Sequence, residues 1–511
     1  MKKILLFGLL ALSLHSCKKD TPPAEEAEFF VNEDAASFAE IGSLDIGDAG
    51  AAEISTFDPA TNRLFVVRNE NEGTANQLNR IEVIDFKDPS KMTVIGNISM
   101  TSFGGVVNSL SVSNGKLAAA IQANDKQANG KVAVFNTSDY SKVAEVTVGA
   151  LPDMVTYSPD GKFIMTANEG EPNDLYTNDP SGTISIISVE NNYSVVTLDF
   201  STWAAKKNEL VQKGFRIFGP GLNFMKDIEP EYITISADSK TAWVTLQENN
   251  AIAKVDILTK SITDIFPLGF KDYSAASSEI DPTDDDKVYA AAKWPVKGIY
   301  MPDAIAVMEN NGTPYLFTAN EGDSREYAGF AEVKRVKAIT LDPTKFPTWA
   351  DLRKDGQLGR LNITTTLGDT DGDGDFDELY SLGARSFSVW NGNTGAQIFD
   401  SKNELDLKTS AVTGVYDDGR SDDKSIEPEG IALGKVGNTN VVFVGMERAD
   451  AVAIYDVTNP SAPKFLQLLK CGDAPEGVLY IPAKDSPTKK SLLVVSSEND
   501  GVVKVFTPKS I

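Results

Sequence analysis

The chain has 511 residues, 41% hydrophobic and 24% charged, an ordinary globular balance that excludes a disordered chain or a polytopic membrane protein. With 73 acidic against 48 basic side chains the formal net charge is −25, so nucleic acid is excluded as a partner and cations are the natural counter-species. His15 is the only histidine, and Cys17 and Cys471 are the only cysteines, which excludes imidazole bases, Ser-His-Asp catalysis and zinc or haem ligation. Catalysis, if any, must run on carboxylates, Arg, Lys, Tyr or hydroxyls, or on a hard metal held by oxygen. No nucleotide cofactor is expected.

Met1-Lys2-Lys3 is a short basic stretch, and Ile4 to Leu14 is an apolar run too short to span a bilayer stably. Leu14-His15-Ser16-Cys17 fits the lipobox of bacterial lipoproteins, which predicts a signal peptide over residues 1–16 and lipidation at Cys17. Residues 17–37, rich in Lys, Asp, Glu, Pro and Ala, read as a lipid-anchored flexible tether. The expected location is the bacterial cell envelope, on the periplasmic or surface side of the outer membrane, with the membrane as a partner through the lipid.

Residues 38–511 repeat. Pro152-Asp153-Met154-Val155 leads to Met165-Thr166-Ala167-Asn168-Glu169-Gly170, and Pro302-Asp303-Ala304-Ile305 leads to Phe317-Thr318-Ala319-Asn320-Glu321-Gly322. Glu229-Pro230-Glu231-Tyr232, Glu427-Pro428-Glu429-Gly430 and Ala474-Pro475-Glu476-Gly477 run likewise to Glu248, Glu447 and Glu498, and weaker units span Ile54 to Asn71 and Ser109 to Asp125. Most units continue into a hairpin of alternating strands, such as Thr183–Val189 with Ser194–Phe200. Four short strands repeated seven times predict an all-β chain, a seven-bladed β-propeller. The last unit lacks its outermost strand after Gly501–Phe506, while Phe38–Ile46 is an orphan strand. The N-terminal strand is therefore expected to close the ring and remove the raw edge.

Insertions interrupt the pattern: a short helix is expected near Thr202–Gln212, and residues 270–301 form a long connection. The largest excursion, about residues 323–384, splits blade five between Tyr315–Thr318 and Ser386–Trp390. Inside it lies Asp369-Thr370-Asp371-Gly372-Asp373-Gly374-Asp375-Phe376-Asp377. Asp at loop positions 1, 3, 5 and 9 with Gly at 6 gives convergent oxygens on a sharp turn, as calcium requires, although Tyr380 replaces the usual Glu at position 12. Asp369, Asp371, Asp373 and Asp377 are expected to bind Ca²⁺ by side chain and Asp375 by its carbonyl, with Mg²⁺ possible but weaker.

Propeller topology would gather Asp153, Glu169, Glu229, Glu231, Asp303, Glu321, Glu427, Glu429, Glu447, Glu476 and Glu498 at one channel mouth, with Arg325, Arg385, Arg420 and Arg448 in or beside the same segments. Such carboxylates must bind cations, pair with Arg or take up protons. Alternatively, the Asn/Glu clusters only satisfy backbone groups at tight turns.

Asp227-Ile228-Glu229-Pro230-Glu231-Tyr232, Ala319-Asn320-Glu321-Gly322-Asp323-Ser324-Arg325-Glu326-Tyr327, Ala384-Arg385-Ser386-Phe387-Ser388 and Arg420-Ser421-Asp422-Asp423-Lys424 resemble the choice-of-anchor I family over about residues 38–508. That family includes bacterial surface proteins and mesenchyme-specific cell-surface glycoproteins of mineralising tissue. The resemblance implies a secreted or surface-anchored propeller, and bacterial relatives often carry an alkaline-phosphatase label. Two functions follow. The first is a monomeric, calcium-dependent module that binds a surface polymer, a mineral or an envelope protein through its acidic face. The alternative is a calcium- or magnesium-dependent phosphoesterase, with Glu321, Asp323, Arg325, Arg385 and Arg448 as candidate catalytic residues and the arginines clamping phosphate.

Overall fold

The computed structural model describes residues 29–511 apart from 72, 73 and 75. Cys17, the expected signal peptide and most of the expected tether lie outside the described residues. Among the described residues, the alternating strands assemble into seven four-stranded antiparallel sheets. Six use four strands in chain order, such as Pro152–Tyr157, Phe163–Asn168, Thr183–Ser188 and Ser194–Leu198. Second strands such as Lys116–Ile121, Phe163–Asn168 and Leu492–Ser497 are buried on both faces, because a sheet on either side covers them. The outermost strand Thr93–Ser99 is largely exposed, and Lys142–Ala150 is exposed or half-buried up to its last three residues. The core is accordingly distributed between sheets. In one such layer Val132 and Val134 pack with Val155, Ile164 and Ile187 of the next sheet.

The first strands touch in order: Ala51–Asp58, Val107–Ser113, Pro152–Tyr157, Pro230–Ile235, Ile305–Asn310, Pro428–Val436 and Pro475–Ile481, the last of which touches Ala51–Asp58 again. The seventh sheet takes its outer strand from the other end of the chain. Glu33–Asp45 pairs antiparallel with Val502–Ser510, Asp45 opposite Val502 and Glu33 opposite Ser510. This strand begins at Glu33, ahead of the expected Phe38, so the end of the expected tether is ordered. The buried Glu33 carboxylate explains the difference, accepting from the Ser491 amide at 3.0 Å and the Ser491 hydroxyl at 2.7 Å. Further along, Phe38 exchanges two hydrogen bonds with the Gln467 side chain, at 2.9 and 2.8 Å, which stitches the strand to the sixth sheet.

The expected helix forms as a 3₁₀ turn over Ser201–Lys206 running into an α-helix over Lys207–Gln212, anchored by buried Trp203 and Leu210. The excursion after Asn320 leaves the fifth sheet and returns at Ser386, where Thr313–Asn320 pairs with Ser386–Asn391. It shares a small core with the 270–301 connection, in which Tyr273, Ile280 and Val296 pack against Val336, Leu358 and Ile363. The two insertions are thus one accessory structure.

Candidate functional site: an acidic channel

The Pro-acidic dipeptides set the site. Prolines 152, 230, 428 and 475 each occupy the first residue of a first strand, where a missing N–H is tolerated. Leu151, Met301, Glu427 and Ala474, each just before a proline, have left-handed φ of 46–56°. The pairing register then slips immediately after Pro152, Pro230, Pro428 and Pro475. Such bulges re-aim the side chain at the extra residue. Here that residue is acidic, and Asp153, Glu231, Asp303, Glu429 and Glu476 line one cavity of about 130 Å³. Glu321 also lines it, and with Ile54, Asn108 and Ser109 all seven sheets contribute.

Electrostatically this ring is under tension. Among the described residues, one oxygen each of Glu231, Glu429 and Glu476 (Oε2 in every case) is buried without a hydrogen-bond partner. Burial, then the charge of Glu171, pushes Asp153 up to about 7. Burial, then Glu498 and Asp153, pushes Glu476 up to about 8. Glu231, Asp303 and Glu429 are driven well above the carboxylate range, first by burial and then by Asp303 at Glu231 and by Glu321 at Asp303 and Glu429. Glu169, lining the adjoining mouth with Asp153 and Glu171, is raised by burial and then by the Asp153 charge. Burial, above all, also raises Glu498.

Four other acidic candidates, Glu229, Glu321, Glu427 and Glu447, are bound to bases. Glu229 and Asp227 grip Arg325, at 2.6 and 2.5 Å. Glu321 accepts from Lys424 at 2.9 Å and from Gln247 at 2.8 Å, which against the cost of burial holds it below its usual value. Glu427 meets Arg420, Lys424 and Arg448, and Glu447 meets Arg448 at 2.7 Å. Asp323 is pushed up to about 6, chiefly by burial and then by Glu321.

The asparagines of the repeated Thr-Ala-Asn segments do structural work. Asn168 accepts from Thr166 and donates to Thr183 and Ser185; Asn320 accepts from Thr318 and donates to Ser386 and Ser388. Only the glutamate that follows each of them reaches the mouth region.

Among the arginines, Arg325 is 3% exposed and fully committed to Asp227 and Glu229. Arg385, 1% exposed, donates to the carbonyls of Asp281, Ser421 and Asp423, each at 2.8 Å. Arg448 instead lines an open cleft with Arg420, Asp417, Glu447, Asp450 and Asp473.

In the Asp-rich loop, Asp369, Asp371 and Asp377 each place an oxygen within 4.8 Å of the others, and Asp375 and Asp377 do so with Asp342. Asp373 belongs to neither group; its Oδ1 accepts from the Asp375 amide at 3.1 Å. Asp369 accepts from the Gly372 and Gly374 amides, and Asp377 from the Thr370 amide at 2.9 Å. Sequence reasoning missed Asp342, which a hydrogen bond from its amide to the Phe376 carbonyl at 3.0 Å brings alongside. It also missed Lys424 as the base that neutralises Glu321, although the quoted segment Arg420–Lys424 contained it. Every donor atom in these clusters is an oxygen, which suits hard cations such as Ca²⁺ and Mg²⁺.

Among solved structures the chain is similar to hydrazine synthase of Kuenenia stuttgartiensis, at 12% identity and TM-score 0.47, covering 92% of this chain and 98% of that one. It is also similar to the Cps50 (Swd1) β-propeller domain of Myceliophteria thermophila, at 10% identity and TM-score 0.46, covering 92% and 99%. Among curated proteins, Gigasin-3a of Magallana gigas is 31% identical across a 197-residue alignment that covers 31% of this chain and 69% of that protein. The Choice-of-anchor I domain matches residues 53–460. That span holds the second to fifth sheets, nearly all of the first, three strands of the sixth, both insertions and four of the five Pro-acidic dipeptides, and the chain belongs to the choice-of-anchor I family.

Proposed function

We propose that this chain is a non-enzymatic, surface-associated binding module that holds a divalent cation, calcium above all, in the acidic channel of a closed seven-bladed propeller. The observation that carries this reading is the ring of Asp153, Glu231, Asp303, Glu429 and Glu476 around one cavity, with three buried oxygens that lack a donor. A buried carboxylate without a partner is costly, and a proton or a cation relieves it. Closure is supported by the cyclic contacts of the seven first strands and by the Glu33–Asp45 strand on the seventh sheet. Family membership supports surface association, and Cys17 reads as the lipid anchor. The bound cation would present a positive centre in an acidic mouth, to which an anionic surface polymer, mineral or envelope protein adds the remaining ligands.

Phosphoester hydrolysis is less well supported. Arg325 and Arg385 are already spent on carboxylates and carbonyls, and in the cleft at Arg448 a phosphate would face Asp417, Glu447, Asp450 and Asp473. Equilibrium dialysis with calcium tests the proposal. Wild type should bind one equivalent more than the triple variant Glu231→Gln, Glu429→Gln, Glu476→Gln; equal uptake would sink the channel site. Calcium-dependent turnover of a phosphomonoester, lost in Arg448→Gln, would instead favour the enzyme.

A further inference from the structure

We infer that Asp281, Asp286 and Asp418 form a separate calcium site that ties the 279–290 loop to the 415–425 loop. One carboxylate oxygen from each lies within 4.8 Å of the other two, the span of oxygens on opposite sides of an ion held at roughly 2.4 Å. Asp281 is fully buried and fixed by the backbone, accepting from the Ala290 amide at 2.6 Å and the Thr283 amide at 3.3 Å.

A second, independent observation points to a ligand. Asp418 is half-buried as a residue, but among the described residues neither of its buried carboxylate oxygens has a hydrogen-bond partner. Asp406, outside this group of three, also keeps a buried Oδ2 without a partner among the described residues, while its other oxygen accepts from Ser425 at 3.1 Å. The Tyr289 hydroxyl, on the same loop as Asp281, is likewise buried and unpartnered. Among the described residues no base forms an ion pair with Asp418. Arg385 gives its Nη donors to the carbonyls of Asp281, Ser421 and Asp423 and offers the acids here only its charge, which acts on Asp281 and Asp406, while Arg360 pairs with Asp284 and Asp422 and Arg420 with Asp423 and Glu427.

The chemistry selects the ion. Carboxylates alone, with no nitrogen or sulfur donor, suit a hard cation. The exposed Asp286 leaves room for water in the variable shell that calcium accepts and magnesium does not. The consequence reaches the mouth, because the 415–425 loop carries Arg420 and Lys424, the bases that hold Glu427 and Glu321. An ion here fixes those bases in place, while the site itself shares no ligand with the channel ring.

Lys287 is exposed on the same loop and provides a readout. Trypsin cleavage of the intact protein after Lys287 should slow about tenfold when calcium at ten times its Kd replaces EGTA. Asp286→Asn, a change at an exposed residue that leaves the fold intact, should abolish this protection and remove one equivalent of calcium in equilibrium dialysis; Asp418→Asn should do the same. The channel triple variant should keep the protection, which separates this site from the channel. Equal protection in Asp286→Asn and wild type, or cleavage indifferent to calcium, would overturn the inference.

Discussion

The channel ring and the Asp369–Asp377 loop are both built from closely spaced carboxylates, but they stand in opposite electrical conditions. Glu231, Glu429 and Glu476 each keep a buried oxygen without a donor, and burial drives all three above their usual range. In the loop, Asp369 is exposed and accepts amides from Gly372 and Gly374, and the Thr370 hydroxyl and amide pull Asp377 below its usual value. Water and local amides already satisfy much of the loop, whereas little but a proton or a cation can satisfy the ring. Acid density along the chain therefore says less about cation demand than where the backbone places each carboxylate.

The largest expected effect follows from the ring's dependence on every sheet, where the loop depends on its own turn. Removing residues up to 45 deletes the outer strand of the seventh sheet and with it Phe38, which is 3% exposed and stacks edge-on against Phe443. Loss of one buried aromatic costs ~3–5 kcal/mol, and the bared Val502–Ser510 edge adds to it. Urea unfolding should show a loss of at least this size, with reduced cooperativity. An unchanged midpoint and slope would mean that the strand does not close the ring.

A smaller effect distinguishes the two regions by pH. The ring carboxylates stand higher in the folded chain than in the unfolded one, where they sit near ~4. The folded state then holds more protons than the unfolded state between about pH 4 and the folded values, which reach about 7 for Asp153 and about 8 for Glu476. Stability is thus greatest at the acidic end of this window and falls as pH rises through it. Calcium should flatten the fall. Without calcium, the channel triple variant should lose less stability than wild type between pH 5 and pH 8.5, pH values set at about the edges of the window. An equal slope in both would mean that the ring is not where the protons go.

Much of the ring was legible because it follows from local grammar. Pro-Asp or Pro-Glu recurs at the start of five units, and bulged first strands turn that repetition into a circle of side chains. The orphan strand was legible for the same reason, since a repeat with a missing member advertises the gap. Partner choice was not legible. Arg325 finds Asp227 and Glu229 at sequence separations of 98 and 96 residues, and no spacing rule distinguishes a guanidinium buried between carboxylates from one free to clamp phosphate. Asp281 and Asp418 escaped notice likewise, because each is an ordinary loop aspartate until the accessory structure folds them together.

The loop supplies the smallest effect and the sharpest limit on the comparison. Asp369, Asp371 and Asp377 converge within 4.8 Å, while Asp373 stands outside the group. If the loop binds calcium in this arrangement, Asp371→Ala should remove the site, and Asp373→Ala should weaken it only about as much as loss of the turn bond to Asp375 allows. The remaining coordination must come from carbonyls and water, so affinity should fall in the weak range of extracellular modules, ~10⁻⁴–10⁻³ M. Neither substitution should change the unfolding free energy measured in urea by more than ~0.5 kcal/mol, because exposed positions away from the core rarely do. Isothermal titration of each variant beside the channel triple variant separates the contributions. Equal calcium uptake by wild type and Asp371→Ala would leave the loop a turn satisfied by its own amides, and would confine cation demand to the buried carboxylates.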